Sequence, residues 1–430
     1  MLKHFPIYLN REREYTAAGR RGAMRVYIET HGCTANVSDS QDMRNAIVAA
    51  GGAIVERPED SDVVVINTCA VTEFTSRSML KSVRGYGSRR VIVAGCMAAA
   101  QPYLLASAGG NVECADTPGA LPVLRMLGLG PAAGKPYIRG KTAVISIAEG
   151  CMGHCSYCIV RLVRGPLRSV PPSRVVGQVK DALGSGAKEV FLTAQDTGAY
   201  GRDIGMKLPG LLREILAVEG DYRIRLGMMN PFSMADIVND MVVALNDPRV
   251  YRFAHIPIQS GSDRILKLME RPYTAGEYGA IITKLRDGVP DITISTDYIV
   301  GFPTESDEDF TMTLEELRAD RPLKVNITRF SPRPGTPAAS LEGLPFRVKK
   351  ERSRRLTQLH HDITSAYMRD SVGRRLSVLV TEAGKPGSAV ARDDHYHMVV
   401  IPGDYPLGTR LDVRICGAST TYMIGEPMDK

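Results

Sequence analysis

Three short β-branched runs near the start of the chain each end in a cysteine. They are Arg25-Val-Tyr-Ile-Glu-Thr-His-Gly-Cys33, Asp62-Val-Val-Val-Ile-Asn-Thr-Cys69 and Arg90-Val-Ile-Val-Ala-Gly-Cys96. Apolar runs of this kind read as parallel strands buried on both faces. Helix-length stretches lie between them: Ser40 to Ala50, opened by Ser38 and Asp39, and about Thr72 to Tyr86. Right-handed crossovers put every strand C-terminus of such a sheet on one edge. A Rossmann-like parallel sheet is therefore expected over residues 24–132, with three thiols converging on one rim. Three unrelated buried cysteines are the plainer alternative, because free cysteine is often buried. Their shared position at consecutive strand ends favours a metal cluster.

A second group sits in Glu149-Gly-Cys-Met-Gly-His-Cys-Ser-Tyr-Cys158, directly after the apolar run Ala143-Val-Ile-Ser-Ile-Ala148. Cys151, Cys155 and Cys158 on one short loop can hold three irons of a 4Fe-4S cluster, since such irons take sulfur ligands. The fourth iron would stay open. The alternative is structural zinc, which needs four ligands at pairwise spacing; His154 would have to be the fourth. Five further strand-like runs follow, Glu189–Gln195, Tyr222–Gly227, Arg252–Gln259, Ile292–Val300 and Lys324–Phe330, with helical segments such as Ser173–Leu183 and Asp263–Met269 between them. Six strand–helix units imply an α/β barrel or partial (β/α)6 barrel over residues 133–368, with its chemistry at the strand C-termini. The cysteine loop follows the first strand of that series. The Gly/Pro-rich stretch Gly128–Pro136 reads as the linker between the two regions.

Beyond the basic segment Phe346-Arg-Val-Lys-Lys-Glu-Arg-Ser-Arg-Arg355 the pattern changes to short strands between Gly/Pro turns. Leu376–Thr381, His397–Ile401 and Arg410–Ile415 suggest a small β-barrel over residues 369–430. The chain carries 54 Lys plus Arg against 47 acids, a net +7 that points only weakly to a polyanionic partner. Eight cysteines in 430 residues are too sparse for a disulfide scaffold, and Cys114 and Cys416 fit neither group. No apolar run reaches the roughly 18 residues that span a bilayer. Residues 1–23 are Arg-rich, without periodicity or an apolar core. They read as a disordered basic extension, or as an over-long start with Met24 the initiator. The N-terminus resembles no signal peptide, so a cytoplasmic protein without membrane contact is expected.

Taken together, these residues resemble the radical-SAM methylthiotransferases along nearly the whole chain from Met24. The motifs carrying the resemblance are dense. They are Gly32-Cys-Thr-Ala-Asn36 with Asp39-Ser40, Asn67-Thr-Cys-Ala-Val-Thr72, Glu149-Gly-Cys151, Arg164-Gly165, His255-Ile-Pro-Ile-Gln-Ser-Gly-Ser262, Asp297-Tyr-Ile-Val-Gly-Phe-Pro-Thr-Glu305 and Arg333-Pro-Gly-Thr-Pro-Ala338. Arg225-Leu-Gly-Met-Met-Asn-Pro231 and Asn246-Asp-Pro-Arg-Val-Tyr251 resemble the archaeal and eukaryotic branch. The resemblance implies a radical-SAM barrel, a C-terminal TRAM domain, two 4Fe-4S clusters, and S-adenosylmethionine (SAM) as both radical precursor and methyl donor. It further implies Cys33, Cys69 and Cys96 as ligands of one cluster and Cys151, Cys155 and Cys158 of the other. The implied substrate is the N6-threonylcarbamoyladenosine beside the anticodon, methylthiolated at ring carbon 2. A tRNA anticodon stem-loop, a low-potential electron donor and a sulfur source are the implied partners. Methylthiolation of isopentenyladenosine or of a ribosomal-protein aspartate is the alternative reading. Chemistry supports a radical route, because the C2–H bond is neither acidic nor activated, so acid–base side chains alone cannot replace it with sulfur.

Tyr157, just before the last cysteine of its loop, is expected near the adenine of SAM. Gln195, Asp196, Arg225, Gln259, Ser260 and Gly301 are candidate SAM contacts by their position at strand ends. For the polar ones, capping or inter-strand hydrogen bonds are the plainer role, and Gly301 could simply shape a turn. Arg392, His395 and Arg414 in the last region are candidate phosphate contacts.

Overall fold

The computed structural model describes residues 23–69, 73–107, 109–132 and 138–428. The expected basic extension, apart from Ala23, and part of the linker lie outside them. Strands β1 (Arg25–Thr30), β2 (Ala53–Ile54), β3 (Val63–Thr68), β4 (Arg90–Gly95) and β5 (Asn111–Cys114) form one sheet in the order β2-β1-β3-β4-β5. All its pairings are parallel. The sheet is the expected Rossmann-like domain, with apolar cores on both faces.

The first helix differs from its expected span. It runs Thr34–Ala49, starting immediately after Cys33 rather than at Ser40. Its buried face at this end is polar, comprising Asn36, Ser38 and Ser40, so hydrophobic periodicity gave no signal there. Asn36 and Ser40 are paired instead. Asn36 Nδ2 donates to Asn67 Oδ1 (3.2 Å) and to the Thr68 carbonyl (3.0 Å), and Asn67 Nδ2 donates to Ser40 Oγ at 2.9 Å. A satisfied polar network of this kind fixes one arrangement of the loops above it.

After the short antiparallel β6 (Ile138–Arg139) comes the barrel. Its strands are β7 (Thr142–Ser146), β10 (Glu189–Thr193), β11 (Arg223–Leu226), β12 (Phe253–His255), β13 (Thr293–Val300) and β14 (Lys324–Arg329). They run parallel in that order, with β11 and β12 joined by a Met228–His255 bridge. This is the partial six-stranded barrel expected from the six apolar runs. The first run was expected to be one strand to Ala148. It leaves the barrel at Ser146, and β8 (Ala148–Glu149) pairs antiparallel with β9 (Arg168–Ser169), closing the base of the cysteine loop. The basic segment opens a long helix, Phe346–Asp370.

The last region is a closed barrel of β15 (Arg375–Ala383), β16 (Ser388–Asp393), β17 (Met398–Pro402), β18 (Arg410–Ala418) and β19 (Met423–Pro427). It seats against strand starts of the larger barrel. Arg223 donates to Asp394 Oδ1 (2.8 Å), Lys324 Nζ to the Tyr396 carbonyl (2.9 Å), and Thr293 Oγ1 pairs with His397 Nε2 (2.8 Å). The small barrel thus closes the mouth opposite the cysteine loop. No helix among the described residues is long and apolar enough to cross a membrane.

Candidate functional site

Cys33, Cys69 and Cys96 follow β1, β3 and β4, three adjacent strands, on the C-terminal edge of their sheet. Cys69 and Cys96 are buried and Cys33 is exposed. The loops are tightly nested: a Cβ on Gly32 would lie 2.7 Å from Cys69 Cβ. Burial pushes the Cys96 thiol up, and the nearby Arg164 guanidinium opposes that shift.

The second thiol group is held by its own loop and by distant helical segments. Ser156 N donates to the Met269 carbonyl (3.0 Å), Ser156 Oγ to the Leu268 carbonyl (2.7 Å), and Ala338 N to the Ser156 carbonyl (2.8 Å). Arg161 Nη1 donates to the carbonyls of Cys151 (3.1 Å) and Gly153 (3.2 Å). A Cβ on Gly153 would sit 3.4 Å from Cys151 Sγ and 3.7 Å from Cys155 Sγ, so those two sulfurs flank one point. Burial raises the Cys151 thiol and pushes Cys158 up to about 11. A bound metal cation would hold such thiols as thiolates.

Spacing separates the two metal readings. Among the described residues, the group with three ligand atoms within 4.8 Å of one another is Asp393, His395 and His397; neither cysteine triad is drawn in that tightly. A tetrahedral zinc with bonds near 2.3 Å needs sulfurs about 3.8 Å apart. Both triads are wider, and His154 is exposed. The donor set therefore fits a polynuclear iron–sulfur group better than one zinc ion.

The remaining candidates divide. Gln195 lies at the loop, its Oε1 accepting from Gly150 N at 2.7 Å. Asp196 lies close enough to Cys151 to raise it electrostatically. Its carboxylate is fully engaged, accepting from Asn230 N (3.0 Å) and Ser233 Oγ (2.7 Å). Tyr157 sets its ring edge-on to Phe302, centroids 6.5 Å apart. Gln259, Ser260 and Gly301 follow β12 and β13 on the same mouth. Gln259 has φ +78°, a left-handed conformation rare for a residue with a side chain, and such strain gathers at functional sites. Ser260 Oγ accepts from Ser262 N at 3.2 Å. Gly301 N donates to Glu305 Oε2 (2.7 Å), and a Cβ there would strike Lys349 of the long helix.

Arg225 is not brought to this mouth. Its guanidinium stacks between Phe191, Phe253 and Tyr396, 5.0–5.5 Å from the ring centroids, in the layer facing the small barrel. Arg392 is likewise buried, stacked on Tyr396 and bonded to Glu382 at 3.1 Å. His395 belongs to the Asp393 cluster, whereas Arg414 is exposed.

Arg271 escaped the sequence reading, because a lone arginine before Pro272 carries no local signal. It is buried and donates from Nη1 to Cys155 Sγ (3.2 Å), from Nε to Tyr273 Oη (2.6 Å) and from Nη2 to the Pro257 carbonyl (3.1 Å). Burial opposes its charge, but Tyr157, Tyr273 and Cys155 more than offset that and keep it cationic. Across the mouth, Asp297 accepts from Asn326 Nδ2 (2.7 Å) and pairs with His255 Nε2 (2.9 Å).

Gly150 sets the entry to the loop. Its φ is +81°, and a Cβ would lie 2.0 Å from the Pro166 carbonyl oxygen. Gly150→Ala is expected to cost about 2–4 kcal/mol of stability. Denaturant unfolding of the metal-free protein measures that loss, and iron retention should fall in parallel.

A barrel with three thiols on the loop after its first strand defines the class of radical-SAM enzymes. Residues 145–317 match the radical SAM superfamily, residues 25–115 the uncharacterized protein family UPF0004 and residues 369–428 the TRAM domain. The chain is 38% identical over 429 residues to a probable threonylcarbamoyladenosine tRNA methylthiotransferase of Pyrococcus horikoshii, covering 94% of this chain and 99% of that protein. It is 37% identical to the threonylcarbamoyladenosine tRNA methylthiotransferase of Xenopus laevis, covering 95% and 78%. Among solved structures it is similar to TsrM from Kitasatospora setae, a radical S-adenosylmethionine methyltransferase with cobalamin and a [4Fe-4S] cluster bound. That likeness has a TM-score of 0.54 at 14% identity over 74% of this chain and 77% of the other, and speaks for the fold alone. The chain belongs to the radical-SAM methylthiotransferase family, in the group named for threonylcarbamoyladenosine tRNA. SAM and an iron–sulfur cluster are its cofactors.

Proposed function

We propose that this enzyme converts N6-threonylcarbamoyladenosine next to the tRNA anticodon to its 2-methylthio derivative. Cys151, Cys155 and Cys158 would hold one 4Fe-4S cluster and Cys33, Cys69 and Cys96 a second. When bound, these groups supply the single electron that cleaves SAM and the sulfur that enters the base. The observation that carries this reading is the buried seam between the two cysteine-bearing regions: Arg164, on the helix that follows Cys158, is held by both carboxylate oxygens of Asp39, on the helix opened by Cys33. One triad alone would serve SAM cleavage; a second, on the region packed against the first, suits sulfur delivery to a base attacked at the same mouth.

The protein's own groups hold and shield. Gln195 and Arg161 brace the loop, and Arg271 sets a positive charge against Cys155. Tyr157, Gln259, Ser260 and Gly301 are the proposed SAM contacts, with Asp196 ordering the turn beside them. An unpaired anticodon-loop adenosine can be splayed into such a mouth, whereas a duplex base cannot without unstacking. The rim carries an exposed Phe346 with the Arg329 guanidinium 5.0 Å from its ring centroid, flanked by exposed Arg347 and Lys350. Stacking and phosphate contacts of this kind suit single-stranded RNA. Phe346→Ala is expected to weaken tRNA binding about 5- to 150-fold, the worth of one stacked base, with SAM cleavage in the absence of RNA unchanged. Filter binding and 5′-deoxyadenosine assays measure the two.

Nucleoside mass spectrometry of tRNA from cells with and without the gene tests the assignment. Loss of 2-methylthio-N6-threonylcarbamoyladenosine on deletion, restored by the wild-type gene, is the expected result. An unchanged nucleoside defeats the tRNA assignment and moves a protein aspartate to first place as substrate. An electron donor and a sulfur source complete the proposed partners.

A further inference from the structure

Arg164 is 4% exposed, and each of its partners belongs to a cysteine-bearing segment. Its guanidinium grips both carboxylate oxygens of Asp39, on the helix opened by Cys33. Its Nη1 lies 3.7 Å from Glu149 Oε1, just ahead of Gly150 and Cys151, and Glu149 is anchored in turn by Arg168 at 3.0 Å. Cys96 lies close enough to feel its positive charge. A buried guanidinium is costly unless its charge is paired, and here carboxylates of both domains pair with it, Asp39 by hydrogen bonds and Glu149 across 3.7 Å. A lysine, with one compact ammonium, cannot span all three partners.

Adhesion between the domains has another source. Ile159 and Val163, on the same segment as Arg164, pack into the apolar core formed by Tyr27, Val64 and Met97. The domains therefore stay docked without Arg164. What Arg164 adds is directional: it fixes how the Cys33 helix, the Cys96 turn and the Cys151 loop stand relative to one another.

We infer that Arg164 is a positioning residue that sets the register between the two cysteine triads, so that sulfur held by one reaches the base activated at the other. This rests on the two-cluster reading proposed above. Misplacement of reacting groups by an ångström can cost about 100-fold in rate, while SAM cleavage within the Cys151 triad needs no such register. Loss of Arg164 should therefore uncouple the two: SAM is still cleaved, but little methylthiolated product forms.

The experiment uses anaerobically reconstituted full-length protein with tRNA, comparing wild type, Arg164→Gln, Arg164→Lys and Asp39→Asn. Moles of 5′-deoxyadenosine formed per mole of methylthiolated nucleoside should rise about tenfold or more in Arg164→Gln. Arg164→Lys should fall between that value and wild type. Asp39→Asn, which keeps the arginine but removes its bidentate partner, should uncouple in the same direction. In metal-free protein, hydrogen–deuterium exchange should quicken at residues 34–49 and 160–164 in both Arg164→Gln and Asp39→Asn, with the barrel core unchanged. If both products fall in proportion, Arg164 supports the fold only and the inference is overturned; an unchanged ratio overturns it equally. Should Arg164→Gln not fold, Asp39→Asn decides by the same ratio. Wild-type protein that makes no methylthiolated nucleoside defeats the proposed function itself. Wild type that makes it while both variants keep its ratio defeats the positioning role alone.

Discussion

Cys69→Ala is expected to reduce methylthiolated product to background while reductive cleavage of SAM continues. The side chain is buried at the end of β3, with Gly32 packed against its Cβ, so alanine keeps the carbon that packs and deletes only the sulfur. The sheet beneath it is held by β-branched packing and by the Asn36–Asn67 network, neither of which involves the thiol. The fold should therefore survive. Loss of an outer-shell partner of a metal site typically costs 10- to 100-fold; loss of a ligand should exceed that. The Cys151 triad is untouched, so 5′-deoxyadenosine formation without tRNA should stay within about twofold of wild type. Product and 5′-deoxyadenosine measured in one reaction check both halves. A variant that still methylthiolates would remove Cys69 from the chemistry.

Arg271→Met should make the Cys151/Cys155/Cys158 centre harder to reduce. Methionine fills similar volume, but deletes a buried positive charge and the donor to Cys155 Sγ. A hydrogen bond to a charged group is worth about 1.5–3 kcal/mol. Reduction adds negative charge at the sulfurs, so this interaction strengthens on reduction, and its loss favours the oxidised state. For a one-electron couple, about 1.4 kcal/mol corresponds to 59 mV, so a shift of roughly 60–130 mV to more negative potential is the upper range. SAM cleavage should slow accordingly with a weak reductant. A redox titration followed by electron paramagnetic resonance reads the shift. A potential within about 20 mV of wild type would mean that the arginine matters only through Tyr273 and the Pro257 carbonyl.

The chain itself showed where the strands lie, because buried parallel strands are written as unbroken β-branched runs such as Val63-Val-Val-Ile66. It also showed that two groups of three cysteines sit at strand ends. Less legible was the start of the Thr34–Ala49 helix, whose buried face at that end is hydrogen-bonded rather than apolar. Strands β16 and β19 went unread, since Ser388–Asp393 and Met423–Pro427 carry only weak alternation and are strands by virtue of their partners. Arg225 was misplaced for a related reason. Its position on β11 was visible, but the aromatic cage that claims it includes Tyr396, a residue of the small barrel that no local pattern could bring there. Arg271 and Arg164 likewise take their meaning from partners far along the chain: Cys155, Asp39 and Cys96. Local physics was readable in the sequence, while contacts between distant segments required the fold.

Iron counting on triad variants tests the two-cluster account most directly. Anaerobically reconstituted wild-type protein should hold about eight irons per chain, two cubane clusters' worth. The Cys33/Cys69/Cys96→Ala and Cys151/Cys155/Cys158→Ala variants should each hold about four, with Mössbauer spectra that sum to that of the wild type. If instead the first variant keeps the full iron content of the wild type, the N-terminal thiols hold no cluster, and sulfur must reach the base by another route.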